Sequence, residues 1–232
     1  MHVTAIVVAA GAGRRVGAVL PKPYLLIAGR AMVLHTLDRC FGARSIDDVI
    51  LVVGTAELAR CEALLKADSA LRQRPWRLQE GGNTRQESVR CGLEAMNEKT
   101  EVVVIHDGAR PLVSPALIDR CVEVACEKGA AIAGVPVRDT IKIVSGDHQV
   151  KSTPERNSLW EIQTPQVFRR DLIVDGHNWA AREGIHATDD AMLIERMGGS
   201  VYVVEGERSN LKITVPEDIL FAETLIQSSR SG

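Results

Sequence analysis

Near the start of the chain stands Val3-Thr4-Ala5-Ile6-Val7-Val8-Ala9-Ala10-Gly11-Ala12-Gly13-Arg14-Arg15-Val16-Gly17. Val3–Ala9 is an unbroken apolar run rather than an alternating one, which suits a strand covered on both faces, as in a parallel sheet. Similar short runs recur at Val49–Val53, Val102–Ile105, Ala130–Val135 and Val201–Val204. Helical patterns lie between them. Ile118, Cys121, Val122 and Ala125 fall on one helical face, as do Val89, Leu93 and Met96. Ser114-Pro115 supplies an N-cap followed by proline at the first helical position, and Thr84-x-x-Glu87 and Thr214-x-x-Glu217 read as capping boxes. Strands alternating with helices imply an α/β class: one domain over 1–232, doubly wound around a mostly parallel sheet. Ligands are then expected at the carboxyl ends of the strands.

The glycines after the first run let the backbone fold tightly and turn N–H groups toward an anion. Three nucleotide folds share that device, and two fail on spacing. A dinucleotide fingerprint needs glycine where Val16 stands, and an acidic residue after the second strand, where the chain has Gly54-Thr55. That argues against a nicotinamide-dependent dehydrogenase. The Gly-Lys-Ser/Thr of a P-loop is absent too. What remains is a loop with Arg14 and Arg15, then Lys22 held between Pro21 and Pro23. Such cations neutralise a triphosphate and stabilise charge that develops during transfer at phosphorus. Arg15 and Lys22 are the catalytic candidates of this segment, and Arg14 is read as a solvated neighbour.

Val102–Ile105 feeds directly into His106-Asp107, placing a carboxylate just past a buried strand. A hard carboxylate oxygen suits Mg²⁺, or another divalent cation, that takes most of its shell from phosphate and water. Asp107 is therefore the metal candidate, and His106 reads as packing. Gly81-Gly82-Asn83 precedes the Thr84 box, so it lies at a helix N-terminus with N–H groups free for a polar ligand. Asp189 and Asp190 open a helical pattern and read as acids complementing its dipole, not as an acid–base pair. Residues 138–157 break the rhythm. Thr140-Ile141-Lys142-Ile143 alternates, Ser145-Gly146-Asp147 resembles a turn, and Gln149-Val150-Lys151 follows. A two-stranded ribbon without a core face needs something to pack on; a dimerising arm is the sharper expectation, a flap over the site the plainer one.

A net charge of −2 offers no global basic field for nucleic acid or a membrane surface, and 3% aromatic content weakens a base-stacking reading. The 5 cysteines lack CxxC spacing and read as small buried hydrophobes in a reducing compartment. No leader pattern precedes the first strand, and no apolar run approaches the roughly 18 residues of a membrane span. The expectation is a cytoplasmic protein.

Ala9-Ala10-Gly11-x-Gly13-x-Arg15 with Pro21-Lys22-x-Tyr24-Leu25 resembles the cytidylyltransferases that activate small sugar-alcohol phosphates, most closely the 2-C-methyl-D-erythritol 4-phosphate cytidylyltransferase family of the non-mevalonate isoprenoid pathway. The resemblance continues in order through Gly81-Gly82-Asn83-x-Arg85-x-x-Ser88-Val89, His106-Asp107-Gly108-Ala109-Arg110-Pro111, Pro136-Val137-Arg138-Asp139-Thr140, Arg156-Asn157-x-Leu159-Trp160, Thr164-Pro165-Gln166 and Asn210-Leu211-Lys212-Ile213-Thr214. It implies a Rossmann-like nucleotidyltransferase fold using CTP, a small sugar-alcohol phosphate and Mg²⁺. Ala9, Ala10, Gly11, Ala12 and Gly13 would cradle the nucleotide, Gly82 and Asn83 would read the cytosine, and Ser88 would touch it. Asp107 would hold the ion bridging the phosphates, and Lys212 would join Arg15 and Lys22 in catalysis. Arg110, Thr140, Arg156, Thr164 and Lys212 would bind the acceptor. Arg138, Thr140 and Arg156 lie in or beside the arm, which in such proteins crosses to a neighbouring subunit of a homodimer.

Two positions depart from the pattern. The family usually has aspartate at 83; Asn83 retains a carbonyl acceptor for the cytosine amino group. Ser209 stands where an acidic residue is frequent, and no role is carried over to it. A ribitol-5-phosphate cytidylyltransferase is the nearest rival, disfavoured by Ala9-Ala10, Tyr24 and Gly108-Ala109. A non-catalytic nucleotide-binding module is disfavoured by the joint presence of Lys22, Asp107 and Lys212.

Overall fold

The computed structural model describes residues 1–11 and 21–230. Its centre is a seven-stranded sheet with β1 His2–Val8, β4 Asp48–Val53, β5 Trp76–Glu80, β6 Thr100–Asp107, β7 Ala130–Pro136, β10 Trp160–Arg169 and β11 Tyr202–Glu205, in the order β11-β7-β10-β6-β1-β4-β5. The pairs β1–β4, β1–β6, β4–β5 and β7–β11 are parallel, and β10 alone runs antiparallel, to both β6 and β7. All five apolar runs became strands of this sheet.

Alternate side chains of each strand feed opposite layers. Val3, Ala5 and Val7 pack with α1 Met32–Gly42, α2 Leu58–Ala67 and α4 Pro115–Lys128. Ile6 faces the other way, with α3 Arg85–Glu94, α5 Arg170–Glu183 and α6 Ala191–Arg196. With both faces covered, polarity along the central strands confers no advantage, which is why they read as continuous hydrophobic runs. A third cluster joins Ile27 and Met32 to Leu112, Ile213 and the inner face of α7 Pro216–Arg230. Residues 26–27 and 30–31 form the short pair β2–β3, bent by Ala28 and Gly29 with positive φ.

The helix-start signals fared unevenly. Ser114 caps α4 through Leu117 N–H at 3.1 Å, and Thr84 caps α3 through Glu87 N–H at 3.1 Å. The return bond of the Thr84 box lands one residue early, because Glu87 Oε2 accepts from Asn83 N–H at 2.8 Å rather than from Thr84. At α7 the box is replaced: Asp218, not Glu217, accepts from the N–H groups of Thr214 and Val215 at 2.6 and 2.9 Å. Of the cysteines, Cys40, Cys61 and Cys121 are buried as expected, but Cys126 is exposed.

Within 138–157 the ribbon is shorter than the alternation suggested: β8 Ile143–Val144 pairs with β9 Val150–Ser152 around the Ser145–Gln149 turn. Ile143, Val144 and Val150 are all about half exposed, at 52%, 51% and 54%.

Candidate active site

Three loops meet at the carboxyl ends of β1, β5 and β6 and are stitched together by backbone bonds. Ala9 N–H donates to Val52 carbonyl at 2.8 Å, Gly81 N–H to Val53 at 2.8 Å and Gly108 N–H to Val8 at 2.9 Å. Their approach is close enough to dictate residue size. A Cβ at position 81 would lie 2.7 Å from Ala10 Cβ, and one at 82 would collide with Glu87. The loops surround a cavity of about 600 Å³, with Ala9, Ala10 and Gly11 on one wall and Gly82, Asn83 and Ser88 on another. Asp107, Lys22 and Lys212 also line it. These three charged groups come from segments far apart in sequence. Ala12, Gly13, Arg14 and Arg15 lie outside the described residues.

Lys22 begins a single 3-10 turn over Lys22–Tyr24. Tyr24 anchors that turn: its hydroxyl donates to Glu57 carbonyl at 3.3 Å, and Arg60 stacks on its ring with 4.2 Å to the centroid. Lys212 is held differently, by Ile213, whose side chain is buried and whose N–H donates to Ala109 carbonyl at 2.8 Å.

Asp107 is buried and flanked by two cations. Arg85 Nε donates to Oδ1 at 3.1 Å and Lys212 Nζ to Oδ2 at 2.6 Å. Burial by itself would raise the carboxyl's pKa; Arg85 and then Lys212 outweigh it and hold the group well below the usual carboxylate range. The group is thus an anion at any physiological pH. Such an oxygen, lining a cavity sized for a ligand, fits a divalent cation completed by phosphate and water. Among the described residues no three His, Cys, Asp or Glu side chains form a cage of their own.

Beneath Asp107 runs a chain of hydrogen bonds with a forced direction. His106 Nε2 lies 3.1 Å from Arg110 carbonyl, which can only accept, so that nitrogen carries the proton. Burial pushes the imidazole down to about 4, so the other nitrogen is unprotonated at neutral pH. His106 Nδ1 then accepts from Thr164 Oγ1 at 2.9 Å, and the same oxygen accepts from Asp107 N–H at 3.0 Å. His106 packs, as expected from the sequence, but it also orients the hydroxyl that fixes Asp107's backbone. Both capacities of Thr164 used here are spent inside the protein.

Of the remaining expected residues, Arg110, Thr140 and Arg156 fall elsewhere. Arg110 is not among the cavity-lining groups; its Nη1 donates to Asn210 carbonyl at 2.7 Å. Arg156 Nη1 donates to Arg138 carbonyl at 3.2 Å, and neither Arg156 nor Thr140 lines this chain's cavity. Ser88 Oγ donates to Thr84 carbonyl at 2.8 Å. The α3 N-terminus is less open than expected, because Glu87 already occupies Asn83 N–H and Thr84 occupies Glu87 N–H. Asp190 corrects the sequence reading most. Its side chain makes no capping bond; it is buried and pairs with Arg85 Nη1 at 2.8 Å. The sequence gives Arg85 no expected role, yet a cation in the first helical turn, where acids are favoured, is a signal that could have found it. Asp189 does act as a cap, accepting from Met192 N–H at 3.1 Å.

No helix among the described residues is long and apolar enough to cross a membrane. Residues 3–228 match the family described as IspD, 2-C-methyl-D-erythritol 4-phosphate cytidylyltransferase. The protein of that description from Alkaliphilus oremlandii is 41% identical over 229 residues, covering 98% of this chain and 96% of its own. Among solved structures, 4-diphosphocytidyl-2C-methyl-D-erythritol synthase from Anaerococcus prevotii superimposes with a TM-score of 0.87 at 34% identity, covering 97% of this chain and 96% of that one. The 2-C-methyl-D-erythritol 4-phosphate cytidylyltransferase from Thermus thermophilus gives 0.79 at 33%, covering 98% and 100%.

Proposed function

The chain belongs to the 2-C-methyl-D-erythritol 4-phosphate cytidylyltransferase family, and from that premise we infer how its residues do the family's work. It transfers the cytidylyl group of CTP to 2-C-methyl-D-erythritol 4-phosphate, giving 4-diphosphocytidyl-2-C-methyl-D-erythritol and pyrophosphate. One observation carries the residue-level reading: Lys22, Asp107 and Lys212 share a single cavity with the Gly82–Asn83 loop.

In this reading the triphosphate lies over the loop after β1, with Ala9–Gly13 along it and the cytosine against Gly82, Asn83 and Ser88. An oxygen of the acceptor's phosphate attacks the α-phosphorus, and the bond to the β-phosphate oxygen breaks. The attacking oxygen is already ionised, so no general base is required. Arg15, Lys22 and Lys212 stabilise the negative charge that grows on the α-phosphate and the leaving pyrophosphate. Lys212 reaches the phosphates by releasing Asp107, a contact its 42% exposed side chain can exchange. Bound at Asp107, Mg²⁺ or a similar divalent ion would neutralise phosphate charge and orient the leaving group.

The arm gives each site its second half. Thr140 and Arg156 lie off this chain's own cavity, and the half-exposed Ile143, Val144 and Val150 lie on the same arm. A second copy that covers those side chains would carry Thr140 and Arg156 to the acceptor end of its neighbour's site, so the unit of function is a homodimer of single-domain chains. All five cysteines are free thiols, in keeping with a cytoplasmic protein.

The test is pyrophosphate release across the four nucleoside triphosphates, each with 2-C-methyl-D-erythritol 4-phosphate and with ribitol 5-phosphate. Release confined to CTP with the first acceptor is expected, and equal rates with ribitol 5-phosphate would overturn the choice of acceptor.

A further inference from the structure

Asp190 sits at the start of α6, where a carboxylate would ordinarily serve the helix end. Instead it faces inward. Oδ2 meets Arg85 Nη1 at 2.8 Å, and Oδ1 meets His177 Nε2 at 3.2 Å, with both Asp190 and His177 side chains only 2% exposed. The backbone around it is pinned as well. Gln166 Oε1 accepts from the N–H groups of Asp190 and Ala191 at 3.1 and 3.2 Å. Gln166 stands on β10 opposite Ile105 of β6, two residues before Asp107. The strand that carries Asp107 and the helix that carries Asp190 are therefore fixed to one frame.

Arg85 spans the two carboxylates. Its Nε takes Asp107 Oδ1 at 3.1 Å while Nη1 takes Asp190. A guanidinium is a planar fork that can bond two acids in fixed directions, which a lysine ammonium cannot do. The two cations on Asp107 are consequently unequal. Lys212, on Oδ2, is 42% exposed and can turn to an incoming phosphate. Arg85 is tied at its far end to a buried acid, and withdrawing it would leave that acid as an uncompensated charge in the interior, a costly state. An arginine held only by Asp107 would be drawn to the triphosphate and leave both carboxylate oxygens loose.

We propose that Asp190 is a positioning residue for the transfer reaction: acting through Arg85, it keeps Asp107 Oδ1 engaged and reserves Oδ2 for the divalent cation that accompanies the nucleotide. The proposal rests on the reading above that Asp107 meets that cation. His177 supports Asp190 from behind, and Gln166 fixes its backbone.

The experiment is calorimetric binding of CTP without acceptor, in Mg²⁺ and in EDTA, so that no turnover enters. The ratio of the two dissociation constants measures what the cation adds. Asp190→Asn is expected to shrink that ratio by about tenfold, the scale of losses when a ligand's supporting partner is removed, with little change in EDTA. Arg85→Lys should act in the same direction, and it carries the test if Asp190→Asn does not fold, as judged by thermal melting. Equal weakening with and without Mg²⁺ in these variants would mean a merely structural role and overturn the proposal. Asp107→Asn separates the two layers. If it retains the full Mg²⁺ effect, the cation reading fails and the proposal with it. If it abolishes the effect while Asp190→Asn and Arg85→Lys keep theirs, only the positioning role of Asp190 fails.

Discussion

At the floor of the cavity, Asp107 is bonded on both carboxylate oxygens and at its backbone N–H, and two of the groups that bond it, Arg85 and Thr164, are bonded in turn. Along 138–157 the opposite holds: Ile143, Val144 and Val150 are each half exposed, and the ribbon pairs only a few residues. The bonds of the floor close within one chain, whereas the arm leaves apolar side chains exposed that the proposed homodimer would cover. Polar groups buried in one place must be satisfied locally, because an unpaired one costs the full desolvation penalty. Exposed apolar groups carry no such urgency and can wait for a partner. On the function proposed above, the site divides into a nucleotide half that each chain builds alone and an acceptor half that depends on association.

The largest effect should come from the charged rim of the nucleotide half. Lys22→Ala and Arg15→Ala are each expected to lower kcat by about 10²- to 10³-fold, the scale of losing a group that stabilises transition-state charge. A loss of less than about threefold in both variants would remove them from the catalytic assignment. The floor should next betray itself in acid. Burial holds His106 near 4 in the folded chain against 6.5 for an ordinary histidine, so between those values the unfolded chain binds a proton that the folded one refuses. The associated stability, roughly 3 kcal/mol, is complete above pH 6.5 and is lost as pH falls toward 4. Urea midpoints measured between pH 7 and 4 should fall accordingly, and the fall should flatten in His106→Asn. A fall of the same size in that variant would assign the effect to other groups.

The arm should respond in the reverse manner. Val144→Lys with Val150→Lys changes exposed positions, so the stability of the isolated chain should move by no more than about 0.5 kcal/mol. Sedimentation should nonetheless shift toward monomer, with the KM for the acceptor rising more than that for CTP. A dimer that persists unchanged would break the comparison at its root. The smallest effect belongs to Asn83→Asp. Both side chains offer an acceptor to the cytosine amino group, so CTP should remain the preferred nucleotide when pyrophosphate release is compared across the four triphosphates.

Legibility in the sequence followed the same division. Five strands were readable because a strand buried on both faces has no reason to alternate. The two sheet strands that went unread had other reasons. β5, Trp76-Arg77-Leu78-Gln79-Glu80, is an edge strand of mixed polarity. β10 carries Gln163, Thr164, Pro165 and Gln166 through the core, which no apolar count detects. Its polar side chains are tolerated because each has a partner: Thr164 meets His106, Gln166 holds the backbone at Asp190, and Gln163 pairs with Asn210 at 3.0 Å. Those partners lie tens of residues away in the chain, so no local pattern marks them.

From its order of residues alone this chain determined a doubly wound α/β frame, a glycine-rich loop after the first strand, and a carboxylate at the tip of β6. Each follows from short-range rules of periodicity, backbone freedom and strand ends. The tertiary structure decided which charges meet. Asp107 finds Lys212, and Arg85 finds Asp190, each across 105 residues; the Ile213–Ala109 backbone bond brings the first pair within bonding distance, and the packing of α3 and α6 on the sheet brings the second. Electrostatic pairing depends on distance in space, and separation along the chain carries no information about it until the fold has closed.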